Sequence, residues 1–142
     1  MRANFAGCPA WFNEGLASLY EASGEQNGNI RGHPNWRLPA LQKAIRARRV
    51  PPFSEMMALS DDDFYGGGGN GKNSDEHYAQ ARYLCYHLQE QGLLLQFYNA
   101  YVAGVKQDPT GVQTLKAVLD ETNLKAFQRK WEKFVLGLRL EQ

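Results

Sequence analysis

The chain has 142 residues, of which 43% are hydrophobic and 22% are charged, and its formal net charge is +1. This composition is typical of a soluble globular protein, and the length predicts one domain with one core. The near-neutral charge excludes a global electrostatic attraction to nucleic acid or to an anionic membrane. No apolar run approaches the roughly 20 residues that span a bilayer, and the N-terminal residues contain no apolar stretch typical of a signal peptide.

The first half of the chain contains two predicted helices and a helical turn. Pro9 suits the first turn of a helix, and apolar and small residues continue at helical spacing to about residue 22. The turn-rich segment 23–36 is predicted to be an exposed, flexible loop. A second amphipathic helix is predicted over 37–49, because two prolines follow at 51 and 52. A short helical turn is expected after them.

The second half of the chain is predicted to be helical except for a Gly-rich loop near 65–74. The helical pattern resumes at about Ser74, and Gly92 is a plausible C-cap for that helix. Further helices are predicted over 93–106, over 111–120 and in the strongly amphipathic segment after Asn123. No convincing alternating strand is present. The sequence therefore predicts an all-α fold of about six helices in an irregular bundle, forming a single helical domain over 1–142.

The Gly-rich segment GGGGNGKN at 66–73 differs by one residue from a phosphate-binding loop. That motif requires a hydroxyl at its last position to hold Mg²⁺, and Asn73 stands there. It also requires a buried strand before it, whereas the preceding segment is acidic. Four consecutive glycines are too flexible for a preorganised anion site. We interpret this segment as a linker.

A run of positive charges extends from residue 31 to residue 49 without an intervening acid. Its members are Arg31, Arg37, Lys43, Arg46, Arg48 and Arg49. A basic helix of this kind either is an ordinary solvated face or binds an anionic ligand or partner. The near-neutral net charge favours the solvated face, and no nucleic-acid partner is expected.

The histidines and cysteines do not form a recognisable metal motif. The chain contains His33, His77 and His87, but no pair of them has the spacing of an H-E-x-x-H helix. His33 and His87 are predicted to be surface or hydrogen-bonded histidines rather than ligands. The two cysteines, Cys8 and Cys85, are far apart in the sequence, so a disulfide between them and the redox compartment stay open.

Glu14 is the residue that most needs an explanation, because it lies in the apolar segment PAWFNEGLASLYE at 9–21. A carboxylate at this point either faces water near the start of the helix, where the helix dipole favours it, or is directed at a cation. The segment closely resembles the glutamate helix of the gluzincin zinc metallopeptidases, with the approximate pattern P-x-W-L-N-E-G-x-A-x-x-x-E. The matching residues are Pro9, Trp11, Asn13, Glu14, Gly15, Ala17 and Glu21.

The resemblance implies a role for each of several residues. In the gluzincins the glutamate that corresponds to Glu14 is the third protein ligand to zinc, after two histidines of an upstream H-E-x-x-H helix. Trp11 and Asn13 would then support that glutamate. The segment DEHYAQARYLCYHLQEQG resembles a later gluzincin helix, in which a tyrosine at the position of Tyr78 stabilises the oxyanion of the tetrahedral intermediate. The C-terminal segment around Trp131 resembles the end of peptidase-MA-like domains in bacterial proteins.

The sequence departs from the family because the H-E-x-x-H helix would lie before Met1. We therefore expect Zn²⁺ and a peptide substrate only in a complete domain, and neither zinc binding nor activity in this chain alone. One account is that the chain is the C-terminal part of a longer peptidase, and the resemblance implies that such a protein belongs to a family with many exported members. Another account is that the chain is a remnant of such a peptidase, which keeps the helical scaffold but has lost the catalytic chemistry. A different class of function is a non-catalytic helical module that binds a partner or an anion through the basic segment 31–49.

Overall fold

The computed structural model describes residues 9–21, 24–26, 29–31, 37–59, 64 and 74–138. These residues form seven helices and one short hairpin, and the all-helical prediction is confirmed. The helices, in chain order, are α1 (Ala10–Glu21), α2 (Arg37–Arg46), α3 (Phe53–Met57), α4 (Ser74–Glu90), α5 (Leu94–Gly104), α6 (Val112–Leu119) and α7 (Leu124–Leu136). None of these helices is long and apolar enough to cross a membrane.

The hairpin lies inside the segment that was predicted to be a loop. Strand β1 (Gly24–Gln26) pairs antiparallel with strand β2 (Asn29–Arg31), and Glu25 is opposite Ile30. Strands of three residues are too short to show a period of two, so the prediction missed them. The sequence nevertheless carries a signal for them, because Asn27 and Gly28 form the pair most favoured in two-residue hairpin connections.

Helix α2 is shorter than the sequence predicts. Helix α2 ends at Arg46, three residues before the predicted end, and the backbone then turns through Arg48 at a φ of +56°. The amide of Arg49 donates to the carbonyl of Ala44 and closes this turn.

The predicted Gly-rich loop near 65–74 lies outside the described residues except at Ser74, which is the first residue of α4.

Helix α4 is the centre of the bundle, because α1, α2, α5 and α7 all pack against it. Its consecutive residues 79–86 are buried. Helix α7 packs on α4 through Trp131, whose Nε1 donates to the carbonyl of Tyr83 at 3.1 Å. Phe53 of α3 contacts the Trp131 ring edge-on, with the ring centroids 4.9 Å apart. The core is therefore continuous from α1 through α4 to α7.

Glutamine side chains hold the non-helical segment between α2 and α3 in place. The carbonyl oxygen of Pro51 accepts from Gln80 Nε2 at 2.8 Å and from Gln128 Nε2 at 3.1 Å. Gln128 Oε1 in turn accepts from the amide of Phe53 at 3.0 Å. Because both ends of the Gln128 amide are used, this segment is fixed against α7.

Candidate functional site

The site predicted from the sequence lies where α1 packs against α4. Gly15 is the closest point, because a Cβ atom built on it would be 2.7 Å from Cys85 Sγ and 2.8 Å from the Ala81 carbonyl oxygen. Real Cβ atoms do not approach other atoms so closely. Glycine therefore lets the α1 backbone come into direct contact with α4.

Glu14 precedes Gly15 on α1, and only 5% of its surface is exposed. The interpretation of Glu14 as an acid facing water is therefore wrong. Its neighbours Trp11 and Phe12 are also buried, so this part of the helix is enclosed on more than one side. A buried carboxylate requires a partner of positive charge or several hydrogen bonds, and Glu14 has a partner within the protein.

Trp11 and Asn13, the two residues expected to support Glu14, differ in their burial. Trp11 is fully buried, and its Nε1 donates to the carbonyl of Thr110 at 2.9 Å. Since the indole has a single N–H donor and Thr110 accepts it, the Trp11 indole does not donate a hydrogen bond to Glu14. Asn13 is half-buried and immediately precedes Glu14 on the same helix.

Tyr78 lies on α4, three residues before Ala81, which is a rise of about 4.5 Å along a helix. Its ring is half-buried and meets the ring of Phe64 edge-on, with the centroids 5.4 Å apart. The structure thus places the two predicted site residues, Glu14 and Tyr78, on the two helices that are in backbone contact. Tyr78 also packs against the core, as the simpler interpretation of a helix-start aromatic would require.

Sequence reasoning missed Arg82, which is fully buried on the same helix as Tyr78. The two residues are four positions apart, so they lie on one face of α4. Burial raises the pKa of the nearby Cys85 thiol, and the positive charge of Arg82 lowers it to a smaller extent. Cys85 is a free thiol and stays protonated at neutral pH. The sequence does contain one signal for Arg82, because it is a single cation among the apolar residues Ala79, Ala81 and Leu84.

The described histidines are engaged with aromatic residues. His77 Nδ1 lies 3.1 Å from the carbonyl oxygen of Phe64. His87 packs edge-on against Phe127 and Phe134, and its Nδ1 is buried without a hydrogen-bond partner. His87 is therefore half-buried among aromatic rings rather than fully at the surface, and its Nδ1 makes no hydrogen bond within the described residues. His33 lies outside the described residues.

The described residues do not form a complete metal site. Within them, no three His, Cys, Asp or Glu side chains lie close enough together to hold a metal ion. The described part of the chain therefore lacks the three-ligand set that a catalytic zinc site requires, and the role of Glu14 as a ligand stays a prediction.

The basic segment 31–49 is largely a surface feature where the structure describes its side chains. Lys43, Arg46 and Arg48 are all exposed. The hairpin strand β2 ends at Arg31, and α2 begins at Arg37. An exposed face fits both predicted interpretations of this segment, as a solvated surface and as a surface for an anionic partner.

Comparisons with protein-family models, with curated proteins and with solved structures gave no match. The resemblance to the gluzincins therefore rests only on the sequence motif around Glu14 and on the segment that carries Tyr78, and it stays a prediction.

Proposed function

We propose that this chain is the C-terminal helical part of a gluzincin-like zinc peptidase domain, and that Glu14 is its glutamate ligand to the metal. The two histidine ligands and the general-base glutamate would come from an H-E-x-x-H helix encoded before residue 1. The burial of Glu14 on a helix in backbone contact with α4 is the observation that carries this proposal.

The positions of α1 and α4 support the assignment of separate roles to Glu14 and Tyr78. A carboxylate on a rigid helix is held at a fixed place, which a metal ligand needs. Gly15 removes the side chain that would separate the helices. Tyr78 would donate its hydroxyl proton in a hydrogen bond to the oxyanion that forms during peptide-bond hydrolysis. Asn13 would orient the Glu14 carboxylate, and Trp11 would anchor the helix through Thr110.

The first test is to read the coding DNA before the codon for Met1. We expect an in-frame H-E-x-x-H sequence within a few tens of codons. An in-frame stop codon in that interval, with no such sequence, would contradict the proposal.

The second test uses the complete encoded protein. Glu14→Gln should weaken zinc binding, measured by competition with a chromophoric chelator, by more than the about 10- to 100-fold typical of losing a residue outside the ligand set. Glu55→Gln, an exposed position on α3, is the matched control and should leave zinc affinity unchanged. Equal zinc affinity of the Glu14→Gln variant and the wild type would exclude Glu14 as a ligand.

Tyr78 has a different expected signature. Tyr78→Phe should lower kcat for a peptide substrate by about 100- to 1,000-fold, the effect typical of losing an oxyanion donor, and should leave zinc affinity unchanged. A loss of zinc together with activity would assign Tyr78 to the structure of the site instead.

A second candidate function is a non-catalytic helical module that binds an anionic partner. The exposure of Lys43, Arg46 and Arg48 favours it, because these cations are accessible on one short stretch of chain. An open reading frame that contains no H-E-x-x-H would favour this function over the peptidase.

A further inference from the structure

An open groove lies on the surface where the segment before α3 meets the first turns of α7. It has a volume of about 240 Å³ and is lined by Val50, Pro52, Lys125, Gln128, Arg129 and Glu132. Pockets that enclose a small molecule usually have about 300–1,000 Å³. A smaller and open groove instead fits a side chain of a peptide that lies across the surface.

The groove has rigid walls. One wall is the segment 50–52, which Gln80 and Gln128 hold through the carbonyl oxygen of Pro51. The other wall is the outer face of α7, where Lys125 and Arg129 are separated by one helical turn. Val50 also packs against the core. Because neither wall depends on a flexible segment, the groove is already formed before anything binds to it.

The charges around the groove are mainly positive. Lys125 and Arg129 are exposed, and within the described residues neither makes an ion pair. Glu132 lines the same groove but lies beyond ion-pair distance of both cations. Arg48 is exposed two residues before Val50. A repeated positive charge at four-residue spacing slightly destabilises a helix, so this pair does not help α7 to fold.

We propose that this groove binds an acidic peptide segment in an extended conformation. An apolar side chain of the peptide lies against Val50 and Pro52, and flanking carboxylates lie beside Lys125 and Arg129. This combination of an apolar floor and a cationic rim favours a peptide with alternating apolar and acidic residues over a simple anion. The inference concerns a different surface from Glu14 and does not depend on the zinc proposal.

The test is a fluorescence anisotropy titration of the full chain with a fluorescein-labelled octapeptide of alternating glutamate and leucine. The wild-type chain should bind it, and binding should weaken as NaCl is raised, because exposed charges are screened. Lys125→Glu combined with Arg129→Glu should weaken binding by about tenfold, since two attractive contacts become repulsive. Pro52→Ser should weaken binding without a change in charge.

The matched control is Lys43→Glu combined with Lys106→Glu, which changes the net charge equally at exposed positions outside the groove and outside α7. It should leave the affinity within about twofold, because those charges are screened from the groove. Equal weakening by both charge-reversal pairs, or no binding by the wild type, would overturn the proposal. Displacement of the peptide by millimolar inorganic phosphate, without any effect of Pro52→Ser, would indicate a simple anion site and would also overturn it.

Discussion

The two sides of helix α4 are built in opposite ways. Toward α1, the contact depends on the absence of a side chain, since Gly15 lies against the backbone of Ala81 and the thiol of Cys85. Toward α7, the contact is filled with rings, including Trp131 and the edge-on pairs of His87 with Phe127 and Phe134. The α1 side therefore tolerates no added volume, whereas the α7 side tolerates no lost volume.

The largest effect is expected at Gly15. Gly15→Ala should destabilise the fold by about 3 kcal/mol, because the new methyl group forces the two helix backbones apart. The measurement is the free energy of unfolding in urea. Gly104→Ala is the control, since nothing lies within 4 Å of a Cβ at that position, and it should be neutral or slightly stabilising. Equal stability of the Gly15→Ala variant and the wild type would show that the α1 side is not closely packed.

A smaller loss is expected on the opposite side of α4. Trp131→Phe should lower the free energy of unfolding by about 2 kcal/mol, because it removes buried volume and the hydrogen bond to Tyr83. Gln113→Ala, an exposed change on α6, should stay within about 0.5 kcal/mol of the wild type in the same urea titration. A neutral Trp131→Phe variant would contradict the description of the α7 side as filled.

His87 makes the α7 side sensitive to acid. Burial lowers the pKa of His87 below its ordinary value of 6.5, so the unfolded chain binds a proton at a higher pH than the folded chain does. Stability should therefore fall as the pH is lowered from about 6.5 through the folded-state pKa. His87→Leu should show a flatter dependence of unfolding free energy on pH over this interval, measured in parallel with the wild type. Identical slopes would exclude this role of His87.

The smallest effect is expected on the outer surface of α7. Lys130 pairs with Glu121 at 3.0 Å, but 69% of the lysine side chain is exposed. Lys130→Ala should change the free energy of unfolding by no more than about 0.5 kcal/mol. If Lys130→Ala lowered the free energy of unfolding as much as Trp131→Phe does, α7 would be sensitive to substitution on its exposed face as well as on its buried face.

Helix positions could be predicted because apolar periodicity is a local property. The burial of Leu124, Phe127, Trp131 and Val135 follows the spacing read from the sequence. Periodicity shows which face of a helix is buried but not which helix covers it. The contacts of Trp11 with Thr110 and of Gln128 with Pro51 were therefore not predicted, since each joins segments far apart in the chain.

The candidate site was predicted only in part, for a related reason. The motif around Glu14 identified the residue as a candidate, but it did not show which helix covers it. Arg82 was missed because a single cation on an apolar helix usually extends its side chain to water, and only the packing of several helices encloses it. The metal role of Glu14 stays a prediction.

The hydrogen bond from Trp11 to Thr110 also has a consequence for synthesis of the chain. Its two residues are 99 positions apart, and ribosomes add about 5–20 residues per second. Thr110, whose carbonyl oxygen accepts this hydrogen bond, is therefore made about 5–20 s after Trp11. During that interval the apolar side chains of Trp11, Phe12 and Leu16 lack part of their final packing, so α1 is open to non-native contacts until the second half of the chain has been made.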